Sequence, residues 1–211
     1  MIKLSLKGFA MYMVANSAQQ RKILRDYKYP NPEGKAQITY YREARDYIRS
    51  YYQNKHDREW LLERAFSLYA QANSSTGHTK TRLNHNSRAL RQYARHFSAR
   101  QFDLLPDVTL ELEFNGVLIS VFPDLHVREG KKEKIIKLEF TKELPDTRIS
   151  TIISQALFEA QARKGIGLTS ASVLYLDVPR GSEYRGARVG SRLESEMQAA
   201  CENIIAIWNG I

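Results

Sequence analysis

The stretch Phe122-Pro123-Asp124-Leu125-His126-Val127, followed by the turn Glu129-Gly130-Lys131-Lys132 and the run Lys134-Ile135-Ile136-Lys137-Leu138-Glu139-Phe140-Thr141-Lys142, governs how this chain folds. Its two runs alternate apolar and polar residues about a charged turn with a glycine, which predicts neighbouring strands. In the second run Ile136, Leu138 and Phe140 point one way, so Lys137, Glu139 and Thr141 point the other. In the first, Leu125 and Val127 share one face while Asp124 and His126 share the opposite one. If the strands pair, Asp124 and Glu139 converge. Two carboxylates on adjacent strands can hold a divalent cation against a phosphate, and a nearby lysine can steady the attacking water or the developing charge. The plainer reading is also open: Pro-Asp is common in turns, Lys137 and Glu139 can be half of a cross-strand charge ladder, and His126 is first of all a surface histidine.

On the N-terminal side of this stretch, Val108 to Phe114 alternates strictly, Asn115-Gly116 is a tight-turn signal, and Val117 to Val121 resumes as strand, which predicts a hairpin. On its C-terminal side, after Pro145, a helix is expected from Arg148 to Lys164, stopped by Gly165 and Gly167. A strand from Ala171 to Val178 and a last helix from Gly190 to Trp208 follow. Upstream of Leu104 the period is helical. Ser5 and Ser17 are the expected caps of two short helices, Tyr29 to Gly34 is a breaker, and a longer helix is expected to begin near Lys35. Trp60, Leu61, Ala65, Leu68 and Tyr69 mark a further helical face; Asn73 to Lys80 reads as a loop and Ser87 to Phe97 as another helix. The change of period near Pro106 places a boundary between residues 1–104 and 105–211.

The formal net charge of +9 is uneven: residues 1–104 hold 19 Lys and Arg against 8 Asp and Glu, an excess of 11, and ten of the twelve tyrosines. That half is either a solvated helical face or a surface that tracks a phosphate backbone and stacks bases on rings. Arg88, Arg91 and Arg95 fall along one helical side, and Arg185 and Arg188 lie in a basic loop. Cys201 is the only cysteine, which excludes a disulfide framework and a cysteine zinc site and suits a reducing, cytoplasmic setting. No apolar run approaches a membrane span, and no phosphate-loop spacing or nucleophile elbow is present.

The order of hairpin, Pro-Asp, charged turn, strand with Glu139, helix, strand and helix resembles the PD-(D/E)xK nuclease superfamily, more closely its RecB-type branch, over residues 108–208. In that branch the helix after the Glu strand carries a Gln followed four residues later by an aromatic. Here Gln155 is followed by Phe158 and Glu159, so the aromatic is displaced by one. The larger departure is the lysine, which the family places two residues after the acid and which here is Thr141. Lys137 lies two residues before Glu139 on its face, and Lys142 three after on the other.

The resemblance implies an α/β fold: a restriction-endonuclease-like mixed sheet flanked by helices, preceded by a basic, all-helical N-terminal region. It also implies a metal-dependent DNA endo- or exonuclease. Asp124 and Glu139, with the Phe140 carbonyl and Glu111 or Glu113, would bind Mg²⁺ or Mn²⁺. Lys137 or Lys142 would orient the water, and Gln155 would hold the substrate or a metal-bound water. DNA is the expected partner. The alternative is a catalytically inactive nuclease-fold DNA-binding or assembly subunit, favoured by Thr141 and opposed by the retained carboxylates. A third reading has the tyrosine-rich helices bind a protein partner or a second copy of the chain.

Overall fold

The computed structural model describes residues 1–30, 40–141, 147–186 and 192–211. In chain order it contains β1 (Ile2–Ser5), α1 (Leu6–Val14), α2 (Ser17–Lys28), α3 (Arg42–Gln53), α4 (Arg58–Asn73), α5 (Gly77–His96), β2 (Asp103–Leu104), β3 (Leu110–Phe114), β4 (Val117–Val121), β5 (Leu125–Glu129), β6 (Lys132–Glu139), α6 (Thr147–Arg163), β7 (Val173–Asp177), β8 (Ser182–Arg185) and α7 (Arg192–Trp208). The class is α/β, with strands in two sheets ordered β1-β4-β3 and β2-β5-β6-β7-β8.

Both hairpins form where turn residues permit them. Asn115 and Gly116 adopt φ values of 52° and 84°, the left-handed pair that a two-residue hairpin turn needs, and Phe114 stands opposite Val117. β5 and β6 pair antiparallel, with Leu125 opposite Ile136 and Glu129 opposite Lys132. β6 then pairs parallel with β7, α6 supplying the crossover that a parallel pair requires. The one mixed sheet that the strand order suggested is divided in two. β4 presents its other edge to β1, Ile2 opposite Val117 and Ser5 opposite Ser120, and Phe122-Pro123 breaks the run so the chain can change sheets.

Parity along β6 separates two cores. Ile136, Leu138 and Phe140, with Leu125, Val127, Leu174 and Leu176, pack on α3, α4 and α5 through Ile48, Tyr52, Leu61, Leu90 and Tyr93. From the other face Ile135, Val173 and Tyr175 join α6, α7, the three-stranded sheet, and Leu4, Leu6, Phe9 and Tyr12 of β1 and α1. The five-stranded sheet is therefore covered on both sides, and Glu139 at the end of β6 is buried. Both cores draw residues from either side of position 104.

Three expectations differ from the structure for identifiable reasons. The first 104 residues are not all helix: β1 is a strand four residues long, too short to show a period beside the apolar helix that follows. α5 starts at Gly77, so only residues 74–76 of the expected loop are non-helical. Asn86 and Ser87, poor helix formers in isolation, sit in it because tertiary partners take their polar groups. Asn86 Oδ1 accepts from Ala44 N at 2.8 Å and Ser87 Oγ donates to Ala65 O at 2.7 Å. α2 is capped by Asn16 in a reciprocal box with Gln19 rather than by Ser17. The helix start expected near Lys35 lies outside the described residues, and α3 begins at Arg42.

One ion network ties the linker after α5 to β5, β6 and the edge strand β8. Arg100 donates to both oxygens of Glu129, at 2.8 and 2.9 Å, and to Glu183 at 2.8 Å, while Lys134 also pairs with Glu129. The hydrogen bond from Arg100, with the Lys134 bond, holds the Glu129 carboxyl down at about 2 against the effect of burial. A carboxylate depressed in the folded state adds stability above its unfolded value of 4.5. That contribution, up to about 3 kcal/mol, is lost as pH falls from there through about 2. In Arg100→Ala the acid limb of a melting-temperature-against-pH curve should flatten over this window; an unchanged limb would show that the network does not set acid stability.

Candidate active site

Asp124 lies just ahead of β5, its N–H donating to Ile136 O at 2.9 Å so that pairing with β6 extends one residue beyond the strand. Asp124 Oδ2 accepts from Leu138 N at 2.7 Å and is 3.0 Å from Lys137 Nζ, while Oδ1 is 2.8 Å from Arg45 Nε on α3. Lys137 also donates to Phe122 O at 2.8 Å, and Arg45 stacks over the Phe140 ring. Glu139 ends β6 with 6% of its surface exposed. Its Oε1 accepts from Thr141 N at 2.8 Å and Thr141 Oγ1 at 2.6 Å; its Oε2 accepts from Tyr175 Oη at 2.8 Å and Lys7 Nζ at 2.9 Å. Lys7 reaches Thr141 Oγ1 as well, at 3.2 Å. Burial alone would push the Glu139 pKa up, but the Lys7 charge and the bonds from Thr141 and Lys7 prevail and hold it below the ordinary carboxylate value. Glu139 is ionised at neutral pH.

Two acids thus meet three cations, and each cation comes from a different element. The strand supplies Lys137, α1 supplies Lys7 and α3 supplies Arg45. Lys7, Arg45 and Tyr175 are site groups that the sequence pattern does not reveal. No spacing rule joins Lys7 to Glu139, 132 positions away, and Tyr175 carries no mark beyond its place in an apolar strand. Burial and the Glu139 charge raise the Tyr175 pKa far above its usual range, so its hydroxyl is a permanent donor. Asp177, fully buried beside Glu139 in the β6–β7 register, is turned toward Arg180, whose Nη1 is 2.8 Å from Oδ2.

The remaining sequence candidates lie as follows. Gln155 is buried in α6 and donates to Glu159 Oε1 at 2.6 Å. Burial, reinforced by Glu194, raises the Glu159 pKa, so that carboxyl resists ionisation. Glu111 and Glu113 are exposed on β3, in the other sheet, and the structure does not bring them to Asp124. The reason is the sheet division: pairing of β4 with β1 carries the hairpin away from β5 and β6. His126 is held between Pro106 O, 2.5 Å from Nδ1, and Glu133 Oε1, 2.8 Å from Nε2, which gives it a structural post. Arg88, Arg91 and Arg95 are exposed along α5 and form no ion pair among the described residues. Arg88 lies near Tyr41, whose ring stacks on Phe140 at 5.2 Å, so the stripe begins beside the carboxylates. Arg185 is paired with Glu183 at 2.7 Å; Lys142 and Arg188 lie outside the described residues.

Among the described residues no three Asp, Glu, His or Cys side chains gather into a ready-made metal cage. No described helix is long and apolar enough to cross a membrane. No protein-family model matches the chain, and no curated protein matches it.

Proposed function

We propose that this chain is a metal-dependent nuclease with a RecB-type PD-(D/E)xK core that hydrolyses phosphodiester bonds in DNA. One observation carries the reading: two carboxylates, Asp124 and Glu139, whose side chains are only 7% and 8% exposed, have three cationic side chains directed at them, Lys7 and Lys137 from one face of the sheet and Arg45 from the α3 layer on the other. An isolated buried carboxylate is costly, and a structural ion pair needs only one partner. Five charged groups from four segments are the arrangement expected where a phosphate diester is to be gripped and cut. The antiparallel β5–β6 pair, the α6 crossover and the parallel β7 add support.

The donor set fits Mg²⁺ or Mn²⁺. These ions take hard oxygens and commonly use one or two carboxylates, with water and phosphate oxygens completing the shell. Bound between Asp124 and Glu139, such an ion would polarise the phosphate and make its water a stronger nucleophile. The protein groups have their own tasks. Tyr175 and Thr141 fix the Glu139 carboxylate by hydrogen bonds, and Leu138 N fixes Asp124. Arg45 and Lys137 are placed to meet phosphate oxygens when substrate brings its own negative charge. Phe122, 54% exposed and two residues before Asp124, offers a ring on which a base can stack. Arg88, Arg91 and Arg95 extend the positive surface along α5.

A second reading is a nuclease-fold subunit that binds DNA without cutting it. Arg45 on Asp124, Lys7 on Glu139 and threonine at position 141 favour it, because the protein's own cations already neutralise the carboxylates. Purified protein incubated with linear, circular and single-stranded DNA plus Mg²⁺ or Mn²⁺ separates the two. Cleavage supports the first reading; salt-sensitive binding without cleavage supports the second. In either case the triple variant Arg88→Ala, Arg91→Ala, Arg95→Ala should weaken binding to all sequences alike and reduce the log–log salt slope by about 0.9 for each phosphate that is no longer neutralised. An unchanged slope would remove α5 from the interface.

A further inference from the structure

We infer that Lys7, carried on the first turn of α1, is the catalytic amine of this site, and that the β1–α1 corner exists in part to aim it. This rests on the nuclease reading above. Lys7 Nζ stands 2.9 Å from Glu139 Oε2 and 3.2 Å from Thr141 Oγ1, so its charge hangs over the side chain two residues after the acid. Thr141 relays that contact by donating to Glu139 Oε1 at 2.6 Å. Lys137 is engaged elsewhere, by Asp124 and the Phe122 carbonyl. The Lys7 side chain is 44% exposed while its head meets a carboxylate only 8% exposed, so the lysine reaches the buried acid from the protein surface.

The aim of Lys7 is built into its neighbours. Ser5 caps α1, its Oγ accepting from Gly8 N at 3.1 Å, and the same Oγ lies 2.5 Å from the Tyr27 hydroxyl. Ser5 N donates to that hydroxyl too, at 3.3 Å. A Cβ at Gly8 would overlap the Tyr27 hydroxyl, so glycine lets α2 close against the first turn of α1. Leu6, on the other side of Lys7, is buried, and β1 is held in register on β4. The residues flanking Lys7 are therefore locked, and Gly8 and Tyr27 act as positioning residues.

In the step this serves, a water oxygen bonds to phosphorus as the bond from phosphorus to the leaving sugar oxygen breaks. The water's surplus proton passes to solvent, and the leaving oxygen collects one from solvent. Lys7 keeps its proton throughout and donates a hydrogen bond to a non-bridging phosphate oxygen as its charge grows.

The test compares wild type with Lys7→Ala, the relocated double variant Lys7→Ala/Thr141→Lys, and Gly8→Ala, all checked by thermal melting. Single-turnover cleavage of linear DNA with Mn²⁺ should fall about 100-fold in Lys7→Ala. It should recover at least about tenfold of that when lysine is restored at 141, a gain no purely structural role of Lys7 would give. Gly8→Ala should slow cleavage in the same direction without changing affinity for linear DNA in Ca²⁺. By calorimetry, Lys7→Ala should bind Mn²⁺ tighter, on the order of threefold, since a competing cation has left Glu139. Undiminished cleavage in Lys7→Ala, absence of rescue, or unchanged Mn²⁺ affinity would each overturn the assignment while leaving a cleaving wild type as a nuclease. A wild type that does not cleave overturns the nuclease reading and this inference with it.

Discussion

Replacing Asp124 by Asn or Glu139 by Gln should lower metal-dependent DNA cleavage by about 1,000-fold or more while the protein stays folded. The amides are chosen over alanine for a reason in the structure. Glu139 meets four donors, from Tyr175, Lys7 and twice from Thr141. Deleting the side chain would strand buried donors at about 1–3 kcal/mol each, and activity could then be lost through unfolding. The amide keeps an accepting oxygen and removes the charge that a divalent cation needs. A second effect has the opposite sign. Without metal, loss of a carboxylate next to the phosphate path should tighten DNA binding several-fold, because Arg45 and Lys137 or Lys7 are left with unopposed charge. Filter-binding in chelator and cleavage in Mn²⁺ would report both. Variants that cut like wild type would dismiss these carboxylates as the site; tighter binding with no cleavage in any protein, wild type included, would favour the non-cutting subunit.

Residues 105–211 expressed alone should not fold cooperatively, although the sequence changes character close to that boundary. The fragment lacks β1 and α1, whose Leu4, Leu6, Phe9 and Tyr12 are buried against Leu112, Ile119 and Ile152. Loss of each such side chain ordinarily costs about 2–5 kcal/mol, and four exceed the whole stability of a typical domain. Its sheet would also lose the cover of α3, α4 and α5, baring Leu138, Phe140 and Leu176. Even the C-terminal helix depends on the missing half: Lys28 Nζ donates to Trp208 O at 2.8 Å and Ile211 O at 2.7 Å. Circular dichroism during a thermal ramp would decide. A sharp melt of the fragment, with intact near-ultraviolet signal, would mean that residues 105–211 are an autonomous domain.

Local rules carried the hairpins and the helices α6 and α7. The left-handed pair at Asn115-Gly116 and the alternation of Ile136, Leu138 and Phe140 are properties of a few adjacent residues, so they could be read directly. The same parity put Asp124, Lys137 and Glu139 on one face. It could not say that this face is covered, because cover comes from α1 and α6. A glutamate on an alternating strand reads as solvated, whereas Glu139 is buried with its charge held by partners far along the chain. α5 escaped for a related reason: the intrinsic cost of Asn86 and Ser87 in a helix is offset by hydrogen bonds to α3 and α4 that no window of sequence contains.

The backbone period of β3 to β6, and the pair of carboxylates that this period aligns, are written in the order of residues alone, since side-chain direction repeats every two residues in a strand whatever surrounds it. The charge that answers those carboxylates is a product of the folded arrangement. Lys7 and Arg45 reach them from α1 and α3 because β1 pairs with β4 and the α3–α5 layer closes over β6. Ion pairs depend on distance in space, and a pair as far apart in the chain as Lys7 and Glu139 leaves no periodic trace in a single sequence.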